Sequence, residues 1–441
     1  MRPIILFWFR RDLRLEDNAG LFHALSNGLP VVPVFIFDRH ILDALENRGD
    51  RRVAFLFAAL DALQKELVTL GSTLDVRYGA PEEVIPELLA EYPVRAVYAN
   101  EDYEPYATQR DENIRDLLAA RQISFHLFKD SVIHARNEVV KPDGTAYSVF
   151  TPYARRWRER LTPRHSASFF CRPFFTSFYK QPDRFTLTPA SIGFQADVTV
   201  FTAPQIPVSI LTGYEQTRNL PAVSGTSRLG VHLRFGTLSV RRLVQAALEH
   251  SPSFLSELIW REFFQQHLWR QPELVTRSFR PAYEGIRWRN NEAEFQRWTE
   301  GRTGYPIVDA GMRELAATGF MHNRVRMITA SFLVKHLLVD WRLGEAFFAR
   351  HLMDFEQASN TGNWQWVAGC GCDAAPYFRI FNPETQQKKF DPDGDYVRRW
   401  VPEWETARYP APLVVHAAAR ERCLRVYKAA VGGRLELGIG N

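Results

Sequence analysis

Ile4-Ile5-Leu6-Phe7-Trp8-Phe9 is an unbroken apolar run, and Arg10-Arg11-Asp12-Leu13-Arg14-Leu15 follows it directly. Such a run is far too short to span a membrane and lacks the shape of a cleavable signal, so it reads as a buried strand. Similar short runs recur at Val31–Phe37, Leu74–Tyr78, Ala96–Ala99 and Ser124–Phe128, with amphipathic helical stretches such as Arg52–Leu70 between some of them. Alternating strands and helices argue a parallel α/β sheet. No G-x-G-x-x-G follows the first strand, so the usual dinucleotide fingerprint of such sheets is absent.

At 441 residues, 46% hydrophobic and 24% charged, the chain has the composition of a soluble globular protein with two domains or one very large one. Its net charge of +5 conceals an asymmetry: residues 1–150 carry 17 Lys+Arg against 23 Asp+Glu, and the remainder holds 38 against 27. An acidic front beside a basic remainder suggests that only the latter meets a polyanion, most simply nucleic acid. Cys171, Cys370, Cys372 and Cys423 are too few and too scattered for a disulfide framework or a four-thiolate zinc site, and no metal site is expected. The expected setting is cytoplasmic and reducing.

From about Leu161 to Ser209 the chain is rich in Pro, Phe, Ser and Thr with little periodicity, which reads as a long connector packed down by its aromatics. Beyond it the pattern is helical: Leu238–His250, Phe254–Arg270, Asn291–Thr299, Ile307–Thr318, Asn323–Leu338 and Gly344–Met353. The expected partition is therefore 1–130 as the α/β domain, 131–209 as connector and 210–441 as the helical domain.

Several constellations carry chemistry without forming an ordinary acid–base dyad. On Ser256-Glu257-Leu258-Ile259-Trp260-Arg261-Glu262-Phe263, the residues Glu257, Trp260 and Arg261 share a helical face, aiming an acceptor, a flat ring and a cation together. That face suits a stacked base, and it equally suits an Arg-linked core helix. Asn323 and Met327 are i, i+4 neighbours with Arg324 beside them, while His322 is assigned no role. Thr226-Ser227-Arg228-Leu229-Gly230, ahead of a helical stretch, is suited to phosphate or to simple capping. Asp354 lies within pairing reach of Arg326 if the fold brings them together. In Asn360-Thr-Gly-Asn-Trp364-Gln-Trp366, the two tryptophans lie about 200° apart on a helix, one toward the interior and one toward a cavity. Nine of the 11 tryptophans fall at or after Trp260, a concentration that suits stacking or electron transfer as well as an aromatic core.

Taken together, Ser256-Glu-Leu-Ile-Trp260-Arg-Glu-Phe, Gly304-Tyr-Pro-Ile-Val-Asp309-Ala, Met321-His-Asn-Arg324, Asn363-Trp-Gln-Trp366 and Asp373-Ala-Ala-Pro-Tyr-Phe-Arg-Ile-Phe-Asn-Pro383 strongly resemble the photolyase/cryptochrome family. Among its branches the chain is most similar to class I cyclobutane pyrimidine dimer photolyases, from Phe7 to about Glu403. The resemblance implies an N-terminal Rossmann-like α/β antenna domain and a C-terminal helical domain holding one FAD. It implies that blue light excites the reduced FADH⁻, which gives an electron to a flipped-out pyrimidine dimer in UV-damaged DNA; the ring then splits and the electron returns. By the same resemblance Tyr214, Thr226, Ser227, Arg228, Leu229 and Gly230 grip the FAD, with Arg261 and Glu356 also on the cofactor. Arg326 and Asp354 pair beside the isoalloxazine, and Asn360 faces flavin N5. Glu257 hydrogen-bonds the dimer, Trp260 and Trp366 wall its pocket, and Asn323 and Met327 line it. Arg218, Arg324, Arg379 and Gln386 lie toward DNA. Trp288, Trp341 and Trp364 match a tryptophan chain that photoreduces oxidised FAD.

Two departures bear on this resemblance. The family commonly has Asp-Gly-Asp where this chain has Asp354-Phe355-Glu356, and photolyases of (6-4) photoproducts carry histidines aligned with Asn323 and Met327, neither of which can act as an acid. The alternative reading is a cryptochrome-like blue-light photoreceptor, disfavoured by the short stretch after Glu403 and by the full set of repair-pocket residues. A dark flavin oxidoreductase would need an acid or base near the flavin. The resemblance leaves open the presence and identity of a second, antenna chromophore; Glu104-Pro-Tyr106-Ala107 lacks the Asn-Glu pair of folate binders. A monomer with no membrane partner is expected.

Overall fold

The computed structural model describes residues 2–195 and 201–431, so the last ten residues of the expected 210–441 domain lie outside the described residues. Contacts divide the chain into two compact units that interleave along the sequence. One comprises Met1–Gly144, Arg155–Val208 and Arg228–Trp269; the other comprises Thr145–Ala154, Ser209–Ser227 and Arg270–Asn441.

In the first unit, β1 (Ile4–Phe9), β2 (Val31–Asp38), β3 (Asp75–Gly79), β4 (Val94–Asn100) and β5 (Ser124–Phe128) form one parallel sheet in the order β3-β2-β1-β4-β5. Every residue of β1 and β2 is buried, because helices such as Ala19–Leu25 and Arg51–Thr69 connect the strands and cover the sheet. Phe7 pairs with Pro33 on one side and Tyr98 on the other. Pro33 is tolerated in this inner strand because β3 joins β2 only from Val34 onward. The Leu161–Ser209 segment holds short 3₁₀ turns at Arg172–Ser177 and Ala190–Ile192, and Phe175, Phe178 and Phe194 are buried as its aromatic content suggested.

Residues 228–269 belong to the sheet unit for an electrostatic reason. Arg241, on helix Val240–His250, is buried and donates to Asp17 Oδ1 at 2.8 Å and to Asp130 Oδ1 at 2.7 Å. Burial alone would raise the Asp130 carboxyl; Arg14 and Arg241 outweigh it and hold the group at about 2. On helix Pro252–Arg270 the buried Glu262 accepts from the backbone N–H groups of Ile133 and His134 and from Trp157 Nε1. Gly236 has φ of +64°, and a Cβ there would stand 2.0 Å from the Arg11 carbonyl, so only glycine permits this approach.

The second unit is helical around a core that includes Trp298, Trp341, Trp364, Tyr396 and Tyr427. Its helices are Glu292–Thr299, Pro306–Thr318, Asn323–Ser331, Trp341–His351, Gln357–Ala368, Pro383–Phe390, Asp395–Trp400 and His416–Ala430, among shorter turns. The stretch expected as one helix over Asn323–Leu338 is α-helical only to Ser331. It continues as a π turn over Phe332–Leu337 and stops where Leu338 adopts φ of 52°. Among the described residues no helix is long and apolar enough to cross a membrane.

Candidate flavin site and lesion-facing residues

The helical unit contains a cleft of ≈ 550 Å³, partly open to solvent, whose walls bring together Asn323, Arg326, Met327, Asp354, Glu356, Asn360 and Trp364. His322 caps helix Asn323–Ser331, its Nδ1 accepting from Arg324 N at 3.2 Å, and so aims the first turn with Asn323 and Met327 at the cleft. Arg326 Nη2 donates to Asp354 Oδ2 at 2.9 Å, and its Nε donates to the Met321 carbonyl at 2.8 Å. Asp354 Oδ1 is buried with no partner among the described residues. Glu356 Oε2 accepts from Ser359 Oγ at 2.9 Å at the start of helix Gln357–Ala368.

Asn360 is fixed by a residue that carried no signal in the sequence. Its Nδ2 donates to Glu345 Oε1 at 2.9 Å and to the Glu345 carbonyl at 3.1 Å, and Thr361 Oγ1 donates to the same carboxylate oxygen at 3.2 Å. Burial raises the Glu345 carboxyl, and these two donors draw it partly back. With its amide nitrogen spent on Glu345, Asn360 leaves its carbonyl oxygen as the end available to the cleft. A spacing rule could not have found Glu345, because it sits on the neighbouring helix Trp341–His351.

The two tryptophans of helix Gln357–Ala368 do point to different surroundings, but the expected division into one interior and one cavity ring is not what the helix shows: the buried ring is also the one at the cleft. Trp364 is buried, lines the cleft, and meets Phe348 edge-on at 5.0 Å and Trp298 at 6.3 Å. Trp366 is only partly buried and does not line the cleft. Trp341 is buried, whereas Trp288 is partly exposed and lies edge-on to Tyr427 at 6.0 Å. Trp298 received no role from the sequence, yet it is fully buried, with its indole donating to the Thr329 carbonyl at 3.1 Å.

Other expected residues of this unit lie on its surface. Arg218 stacks over Tyr214 at 5.2 Å, close in sequence to Thr226 and Ser227. Arg324 donates to Asn219 Oδ1 at 2.7 Å while lying 4.4 Å over Phe390. Arg379 is exposed and lies 5.7 Å from the Phe381 ring, and Gln386 is half-buried on helix Pro383–Phe390. The Gly304–Asp309 motif is structural: the buried Asp309 carboxylate accepts from Thr303 N and Oγ1, Gly304 N and Tyr409 OH at 2.6–3.0 Å.

In the sheet unit, Glu257, Trp260 and Arg261 do share one half-exposed face of helix Pro252–Arg270, while Leu258, Ile259, Glu262 and Phe263 turn inward. Trp260 stacks on Phe264 at 5.4 Å and Arg261 Nη1 donates to the Ser131 carbonyl at 2.6 Å. Arg228 adopts φ of 53°, a left-handed conformation costly for a side chain of its size, just before Leu229 and helix Gly230–Phe235.

The sequence of the FAD-binding domain of DNA photolyase matches residues 254–408, and the DNA photolyase domain matches residues 5–170. The chain is 38% identical to the deoxyribodipyrimidine photo-lyase of Escherichia coli, over 97% of its own length and 99% of that protein. The chain belongs to the DNA photolyase family. Its fold is similar to that of a class III photolyase from Agrobacterium tumefaciens, with a TM-score of 0.85 and 34% identity over 98% of each chain. It is also similar to an archaeal photolyase from Sulfolobus tokodaii that holds two FAD molecules, with a TM-score of 0.78 and 33% identity over 96% of this chain and 99% of that one.

The family's cofactor, FAD, is matched by what the cleft offers. A partly buried Arg–Asp pair with an orphaned carboxylate oxygen suits the polar edge of a ring bearing N–H and C=O groups, and apolar side chains such as Phe348, Leu352 and Val367 suit its faces.

Proposed function

We propose that the chain is a blue-light-driven deoxyribodipyrimidine photo-lyase, which returns cyclobutane pyrimidine dimers in DNA to two pyrimidines. The observation that carries this reading is the cleft in which Arg326, Asp354 and Asn360 stand with Asn323 and Met327. Bound FAD, in its reduced form, supplies the light-excited electron. The chain's own residues bind, orient and exclude water. Arg326 and Asp354 would hold the flavin edge, and Asn360, oriented by Glu345, would face its N5. Tyr214, Thr226, Ser227, Arg228, Leu229, Gly230, Arg261 and Glu356 are assigned to the cofactor.

On the DNA side, Glu257 accepts a hydrogen bond from the dimer and Trp260 and Trp366 offer aromatic faces. Asn323 and Met327 contact the dimer without donating a proton, which favours cyclobutane dimers over (6-4) photoproducts. Arg218, Arg324, Arg379 and Gln386 engage the strand. Trp364, Trp341 and Trp288 would carry the electron that reduces oxidised FAD once it is bound. The chain works as a monomer in the cytoplasm, a setting with which its four free, buried cysteines agree. The decisive experiment incubates the reduced holoprotein with a dimer-containing oligonucleotide under blue light and in darkness. Light-dependent restoration of thymines is expected; none, with FAD bound, refutes the proposal.

A further inference from the structure

Helix Phe150–Arg160 carries Arg155, Arg156, Arg158 and Arg160 against one acid, Glu159. Two consecutive residues of it fix its rotation on the helix that bears Glu257 and Trp260. Trp157 is fully buried and its Nε1 donates to Glu262 Oε2 at 2.6 Å, while Arg158 Nη2 donates to Ser256 Oγ at 2.8 Å. Arg158 therefore reaches the residue next to Glu257. Arg155, one turn earlier, projects from the same side. Its side chain is 77% exposed, and the acid nearest to it, Glu159 at 3.9 Å, is itself half-exposed, a pair that water and salt screen. Glu159 and the arginines thus leave a net positive stripe, fixed in place by a buried tryptophan, beside the half-exposed face of helix Pro252–Arg270.

We infer that Arg155 and Arg158 form a phosphate-binding stripe that grips the DNA backbone beside the nucleotide met by Glu257. Planar guanidinium groups match phosphate oxygens two at a time, and a stripe of one sign held at a fixed angle suits the regular charge of a nucleic-acid strand. The inference rests on the photo-lyase reading for its choice of lesion-containing DNA, and its test separates the two.

Dark binding of the FAD-loaded protein to a fluorescent dimer-containing duplex, and to the same duplex undamaged, is followed by anisotropy between 50 and 200 mM salt. Each phosphate contact contributes nearly one unit to the slope of log K against log salt. Replacing both arginines, Arg155→Gln with Arg158→Gln, is expected to flatten that slope by roughly two units on both duplexes and to weaken binding at least tenfold. Arg155→Gln alone, which disturbs nothing buried, is expected to flatten it by about one unit. Arg160→Gln, the same loss of charge from the other side of the helix, is expected to bind as the unaltered chain does. Unchanged slopes in the first two variants, or an equal loss from Arg160→Gln, overturn the stripe; unchanged slopes are also what a surface built for an acidic protein would give. A flattened slope on both duplexes, in a protein that neither prefers nor repairs the dimer, would keep the stripe and remove the photo-lyase reading.

Discussion

Gly344 is the position at which a single methyl group tests the geometry around Trp364. It lies within helix Trp341–His351, where glycine costs up to about 1 kcal/mol relative to alanine, so its presence needs a packing reason. A Cβ there would stand 2.2 and 2.4 Å from Cη2 and Cζ3 of Trp364 and 2.6 Å from Leu333 Cδ2. Carbon atoms in contact sit at about 3.5–4.0 Å, so the indole would have to retreat by roughly 1.5 Å. Phe348 and Trp298 close off that retreat. Overpacking of this kind costs about 1–3 kcal/mol, more than the helix-propensity gain offsets. Gly344→Ala is therefore expected to lose about 1–2 kcal/mol and to melt roughly 1–2 °C lower in calorimetry at matched scan rates. It should also slow photoreduction of oxidised FAD, since Trp364 is proposed as the first carrier. A melting temperature equal to or above that of the unaltered chain would show that the two helices do not meet as described, and would sink the argument.

Further outcomes follow from other sites. Trp288→Phe should slow photoreduction of oxidised FAD in steady illumination yet spare repair when flavin is supplied reduced; equal loss of both would contradict the electron route. Lys335 is fully buried, donates to the Ala368 carbonyl at 2.8 Å, and is brought by burial from 10.5 to about 8. Between pH 8 and 10.5 the unfolded chain binds this proton and the folded chain does not, so the folded state gains stability as pH rises, by about 3 kcal/mol across the window. Any advantage of Lys335→Met in chemical denaturation should shrink by most of that amount toward pH 10; a difference independent of pH would refute it. Asp309→Ala strands the donors of Thr303, Gly304 and Tyr409, and is expected to cost about 3 kcal/mol or more in urea unfolding. A loss below about 1 kcal/mol would show those bonds to be incidental.

What could be read from the sequence was what short-range geometry encodes. The run Ile4–Phe9 and its successors are the five parallel strands, since continuous apolar character is what a sheet covered on both faces requires. The Glu257, Trp260 and Arg261 face and the separation of Trp364 from Trp366 follow from 3.6 residues per turn. Arg326 and Asp354, 28 residues apart, were legible as a chemically matched pair that a fold could bring together. Contacts between helices were not legible: nothing in local spacing marks Glu345 as the partner of Asn360, or Gly344 as the floor beneath Trp364. The π turn at Phe332–Leu337 was hidden for a related reason, because its apolar pattern differs little from that of the helix it continues. The grouping of residues 228–269 with the sheet depends on pairs such as Arg241 with Asp17, separated by 224 positions, which no window of sequence reveals.

That last pairing governs the order in which the chain can mature on the ribosome. Asp17 and Asp130 leave the ribosome long before Arg241, their shared guanidinium, is made. At about 5–20 residues per second, the 111 positions between Asp130 and Arg241 take on the order of ten seconds to synthesise. For that interval the strands can pair with Arg14 already at hand for Asp130, while the Asp17 carboxylate, destined for the interior, waits hydrated for Arg241. Closure of the first half of the protein is thus timed by translation of the second.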